Sequence, residues 1–191
     1  RRIAVLQGMA FVSNTGDTEG ALASSMKGLS LLDAQAAATS DDPELLYRWG
    51  EGLAEQATLR QTLGQTEQAL DDLLRAERAL AKATSLAPTR DGREELAMTY
   101  KRLGEVLGGS ANTANLGRKQ ESLQYQVRAL ELRKTLVTEW PDDLEYKNLL
   151  AQTYHSIGEW YYNAADLPHA IENAQGALAM RRQLVAADEL N

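Results

Sequence analysis

Cysteine is absent from the 191 residues, which excludes disulfide staples and thiolate metal sites but leaves the compartment open. One Phe and four Pro are present, and Val and Ile are sparse, so little in the composition favours a sheet. No apolar run approaches the roughly 20 residues that span a bilayer, and no signal-peptide pattern occurs, so this segment is expected to make no membrane contact. Histidine is confined to His155 and His169. Helical metal sites draw Glu-x-x-His pairs from several helices. Here residue 152 is Gln, and Asp166 precedes His169 across Pro168. No metal ligand set, cofactor or catalytic residue is expected.

A basic face is missing as well. The formal charge is −7. Residues 1–40, 41–90, 91–140 and 141–191 carry 0, −3, +1 and −5. Nucleic acids and anionic membranes are held by clustered Lys and Arg, so neither is expected as a partner. What is abundant is Ala, Leu, Glu, Arg and Gln, the strong helix formers, which gives an all-α reading.

The arrangement of small residues is periodic. Ala21, Ala69, Ser122 and Ala170 stand 48, 53 and 48 residues apart, and each opens a stretch closed seven residues on by Gly28, Ala76, Ala129 or Ala177. A second set, Gly8, Ala57, Gly104 and Gly158, recurs at 49, 47 and 54. Two anchor sets agreeing on a period near 48 predict four helix-turn-helix units over about 1–40, 41–90, 91–140 and 141–191, a right-handed α-solenoid of about eight antiparallel helices. Small residues at these points let paired helices approach closely, with large neighbours such as Leu103 and Ile157 filling the flanking grooves.

In order, the first unit is read as a helix from the start to Asn14, the turn NTGDT, and a helix over 18–38. The second runs from Pro43 to Leu63 and from Thr66 to Leu86, with Pro88 and Gly92 marking its exit. The third starts around Arg93, has a long Gly, Ser and Asn-rich turn at 108–117 read as an exposed insertion, and continues over 118–138. The fourth covers 142–163 and 166–187, with Pro168 in the first turn of its last helix. An opening at Arg1 without an initiating Met is what an excerpt of a longer protein would show, and the repeats are expected to be able to continue past Asn191.

The spacing Tyr154-x2-Ile157-Gly158-x2-Tyr161 followed by Ala170-x3-Ala174-x2-Ala177 resembles the tetratricopeptide repeat, whose pattern is W-x2-L-G-x2-Y, then A-x3-F and a later Pro. Tyr154 stands in place of the Trp and Ala174 in place of the Phe. The period exceeds the 34 residues of the standard unit, which implies longer helices. A narrower likeness lies in NTGDTEGALAS, YKRLGEVLGGSANTANLG and ESLQYQVRALELRKTL. These phrases resemble the C-terminal repeat regions of bacterial eukaryotic-like serine/threonine protein kinases. That resemblance implies a kinase as parent and a docking or sensor arm here. This chain has no phosphate loop with its lysine, no HRD, no DFG and no APE, so it is expected not to be an enzyme itself.

The turn at 108–117 lacks the G-x-x-x-x-G-K-[ST] spacing of a phosphate cradle. Trp49, Trp140 and Trp160 are expected mostly in core or linker packing. The repeat resemblance implies that the first helix of each pair lines a concave face. One step past the packing positions lie Gln152, His155, Glu159 and Tyr162, then Met98, Lys101 and Glu105, then Glu51, Ala54, Thr58 and Gln61. This mixture of acid, amide and aromatic groups predicts capture of a protein or peptide segment. Glu105 and Glu159 stand where the carboxylate clamp of some tetratricopeptide domains has Asn, so that clamp is not expected. Self-association by stacking of uncapped repeat ends is the alternative.

Overall fold

The computed structural model describes residues 16–38, 41–109 and 114–188. The helix expected before Asn14, with its anchor Gly8, lies outside these residues. Among them there are seven α-helices and no strand: α1 (Thr18–Ala38), α2 (Pro43–Thr62), α3 (Thr66–Leu86), α4 (Arg90–Gly104), α5 (Lys119–Glu139), α6 (Leu144–Asn163) and α7 (Leu167–Asp188). Each of α2/α3, α4/α5 and α6/α7 forms a hairpin, and each hairpin packs on the helix before it. This is the stacked, all-α solenoid that the period predicts.

Local chemistry sets the helix starts. The Asp42 carboxylate accepts from the amides of Glu44 and Leu45 at 3.0 and 3.2 Å, just ahead of Pro43. Asp143 accepts from the Tyr146 amide at 3.1 Å and Asp17 from the Gly20 amide at 2.8 Å. Each satisfies amides that a helix start leaves without a partner.

The hairpin turns of α2/α3 and α6/α7 share one geometry. Gly64 bonds back to the Gln61 carbonyl and Gln65 to that of Arg60. Ala165 bonds to the Tyr162 carbonyl and Asp166 to that of Tyr161. The residue at the crossover is left-handed in both, φ 74° at Gly64 and 59° at Ala165. A glycine adopts this conformation freely, whereas alanine is strained there. Ala165→Gly is therefore expected to raise stability by about 0.5–1 kcal/mol, read as an upward shift of the denaturant midpoint.

The small residues sit at crossings. Ala57, Gly104, Gly158, Ala69, Ser122 and Ala170 are all buried, and a Cβ built on Gly104 would lie 2.7 Å from Gln126 Cγ and 3.3 Å from the Ser122 carbonyl oxygen. The Ser122 hydroxyl donates to the Gly104 carbonyl at 2.7 Å. Gly28 departs from the pattern. It is exposed, whereas Ala76, Ala129 and Ala177 are buried.

Two boundaries are corrected. The first helix of the third unit starts at Arg90, not Arg93, because the Thr89 hydroxyl accepts from the Gly92 amide at 3.1 Å and caps it. Gly92 thus belongs to the first turn and is buried, rather than marking an exit. The turn at 108–117 is also more than an exposed insertion. α4 passes into a π-helical turn, Glu105–Gly109. The far side of the turn returns to it, with Leu116 bonded to the Val106 carbonyl at 3.0 Å and Arg118 to that of Leu107 at 2.6 Å. Leu116 packs on the central core, so its side chain anchors what Gly and Asn content alone describes as loose.

Two buried polar clasps tie helices together. Asp72 of α3 accepts from Gln56 Nε2 at 2.8 Å and Arg60 Nε at 2.7 Å, both on α2. Arg133 of α5 donates to Glu94 of α4 and to Thr153 of α6, each at 2.7 Å. At the outer edge Arg90 bonds to Tyr146 and Asp143 and packs with Arg93 over Trp140.

Candidate functional site

The last hairpin carries an open groove of 370 Å³ between α6 and α7. His155, Glu159 and Tyr162 supply its α6 wall, Leu167, Ile171 and Ala174 its α7 wall, and Gly158 and Ala170 also line it. These three α6 residues stand at i, i+4 and i+7, so they share one face of the helix. Tyr162 is 68% exposed. His155 Nε2 and Glu159 Oε1 are 3.6 Å apart at the surface. The groove is thus an apolar trough with an aromatic ring and a His–Glu pair on its rim. It can hold apolar side chains while the rim groups fix polar ones.

The other residues expected on the binding stripe are distributed differently. Gln152 is exposed on α6 but does not line the groove. Glu51 is half-buried and lines a second groove of 560 Å³ between α1 and α2, beside Glu44, Glu55, Leu29 and Leu32. Thr58 and Gln61 are half-buried, and the Thr58 hydroxyl donates to the Ala54 carbonyl at 3.2 Å. Met98 is half-buried on α4. Lys101 and Glu105 form an ion pair at 2.6 Å. None of Met98, Lys101 and Glu105 lines either groove.

Ala54 is a correction. It is fully buried, in one core with Leu70, Leu73, Leu103, Val106 and Leu107. The step taken from the packing positions of α2 leads under α4 instead of to an open face, because α2 is covered by a following helix. The stripe therefore does not form one continuous exposed surface.

Reasoning from the sequence missed the α7 wall. Leu167, Ile171, Ala174, Leu178 and Val185 follow spacings of four, three, four and seven residues. This is a helical apolar stripe distinct from the buried set Ala170, Asn173 and Ala177. That second periodicity was the available signal. Among the described residues no helix is long and apolar enough to cross a membrane, and no group of three or more His, Asp or Glu is placed to hold a metal ion.

Comparison with known proteins matches residues 150–188 to the family model described as tetratricopeptide repeat. These residues include both walls of the groove. A search of curated proteins finds no match. Among solved structures the chain is similar to the de novo designed helical repeat protein DHR64, at 19% identity over 92% of this chain and 84% of that one, with a TM-score of 0.46. It is also similar to MamA, at 14% identity over 90% and 92%, with a TM-score of 0.34. BtubC from P. vanneervenii is 15% identical over 87% and 92%, with a TM-score of 0.25.

Proposed function

We propose that this tetratricopeptide-like array of helical hairpins is a non-catalytic protein-interaction scaffold, and that a protein or peptide segment sits in the groove of the last hairpin. The observation that carries the reading is the groove itself. It is an apolar trough rimmed by the exposed Tyr162, Glu159 and His155, within the segment that matches the tetratricopeptide repeat. Exposed apolar surface gathered in one place, with polar groups at its edge, is the composition of a recognition surface. The earlier stripe positions serve the array instead. Ala54 lies in the core, and Lys101 and Glu105 bind each other.

In its finer form the reading makes the array the docking arm of a bacterial serine/threonine protein kinase, on the likeness of the repeat phrases around Asn14, Gly104 and Ser122. Kinase motifs upstream of Arg1 in the parent gene are the expected finding, and their absence there removes this part alone. Self-association is the second reading, favoured by the exposure of Leu178 and Val185. Light scattering over a concentration series separates the two, because a chain that stays monomeric excludes it.

The binding test is selection of displayed random peptides on the 191-residue chain. Enriched peptides should bind Glu159→Lys/Tyr162→Ala at least about tenfold more weakly, since a central Tyr carries much of such an interface. The melting curve should be unchanged. Equal affinity for the variant would exclude the groove as the seat.

A further inference from the structure

The second and last hairpins are copies in register. Adding 101 to the residue number carries Ala57 to Gly158, Ala69 to Ala170, the left-handed Gly64 to the left-handed Ala165, and the N-cap Asp42 to the N-cap Asp143. The same shift carries Ala54, Thr58 and Gln61 to His155, Glu159 and Tyr162. It carries Thr66, Leu70 and Leu73 to Leu167, Ile171 and Ala174. The groove of the last hairpin is therefore the counterpart of a surface that, on the second hairpin, has an occupant.

That occupant is α4. It packs along α3 and touches α2, and its Leu103 and the following Val106 and Leu107 share one core with Ala54, Leu70 and Leu73. At its other end a Cβ on Gly92 would lie 3.5 Å from the Thr84 hydroxyl, so α4 runs antiparallel to α3. On α7 the corresponding positions are uncovered. Leu70 is 6% exposed and its counterpart Ile171 57%, and Val185, the counterpart of Thr84, is 58% exposed. Leu178 replaces Glu77, so the last surface is more apolar along its middle than the one α4 covers.

We infer that the groove and the outer face of α7 together form a seat for an amphipathic α-helix supplied in trans, docked antiparallel to α7 in the register in which α4 lies on α3. This rests on the scaffold reading and specifies its partner. The partner is a helix of about four turns or more, the length of α4, with an apolar ridge at i, i+3 or i+4, and i+7. Its first turn lies at Val185, its middle on Leu178, and its last turn against Ile171, Ala174 and Tyr162. A segment of this kind would bury apolar residues that the array leaves in water, which is what drives α4 onto the second hairpin.

A labelled peptide covering Thr89–Leu107 of this chain carries the α4 face and is the probe. Fluorescence anisotropy with the full 191-residue chain should show saturable binding. Ile171→Glu/Leu178→Glu should weaken it more than about tenfold, the loss of two buried apolar contacts. Leu31→Glu, an exposed position on α1, should leave it unchanged. Absent binding, or binding indifferent to Ile171 and Leu178, overturns the inference. So does sedimentation showing the chain dimerised through Ile171 and Leu178, since the occupant is then a second copy. If display-selected peptides bind through Tyr162 and Glu159 while the α4 peptide does not, the scaffold reading stands and this inference fails.

Discussion

Arg133→Met is expected to lower the unfolding free energy by about 3–5 kcal/mol at neutral pH, the range for removing one partner of a buried ion pair. Arg133 is 1% exposed and joins three helices, with Glu94 on α4 and Thr153 on α6 each at 2.7 Å. The methionine fills much of the volume but leaves the Glu94 carboxylate in the interior without its cation. Burial already holds the Glu94 carboxyl above the usual carboxylate range, with the hydrogen bond from Arg133 pulling the other way.

Removing that bond pushes it further up, and this gives the prediction a pH signature. A carboxyl whose folded pKa is raised contributes stability that is fully present below the unfolded pKa and is lost as pH rises through the folded pKa. The variant has the larger upward displacement, so its deficit relative to the unsubstituted chain should be greatest at neutral pH and shrink as Glu94 protonates. Urea titrations across the acid range measure it. A deficit independent of pH would show that Glu94 is not the source of the cost.

Gly104→Leu should be the second large loss, about 3 kcal/mol by overpacking of a helix crossing. The α4–α5 crossing has no room at this point, since even a Cβ would approach the backbone oxygen of Ser122 to 3.3 Å. The incoming side chain must also break the 2.7 Å bond from the Ser122 hydroxyl to the Gly104 carbonyl or push the helices apart. Gly28→Ala is the contrast. No described atom lies within 4 Å of a Cβ there, and alanine in an exposed helix interior is favoured over glycine by about 0.5–1 kcal/mol. Opposite signs at two glycines of the same repeat pattern, read from urea midpoints, distinguish a crossing from an open face. Equal effects would mean that the crossing is misplaced.

Much of this architecture is legible in the chain because its determinants are local. The predicted span of α1 at 18–38 and that of α3 at 66–86 coincide with the observed helices. Their ends are set by Asp17 and by the left-handed Gly64, residues whose preferences act within a few positions. The start of α4 was missed because Thr89 caps a helix whose first turn contains Gly92, a residue that otherwise signals a break. The turn at 108–117 was read as loose because its anchor, Leu116, is one apolar residue whose partners come from elsewhere in the chain.

The candidate site divides along the same line. His155, Glu159 and Tyr162 were picked out by helical spacing, and the structure brings them together beside Leu167 and Ile171. Ala54 was picked out by the same spacing and is buried.

The sequence by itself determined the helical class, the period, the small residues at the crossings and the capped ends, since these depend on side-chain size and on hydrogen bonds that span three or four residues. Only the tertiary structure decided which faces are covered. Ala54 and His155 hold the same register on α2 and α6, and α4 lies over the first while no described helix lies over the second. Burial is a property of the neighbour that arrives, not of the residue that waits for it, so the difference between a stacking surface and a seat for a partner helix appears only once the hairpins are stacked.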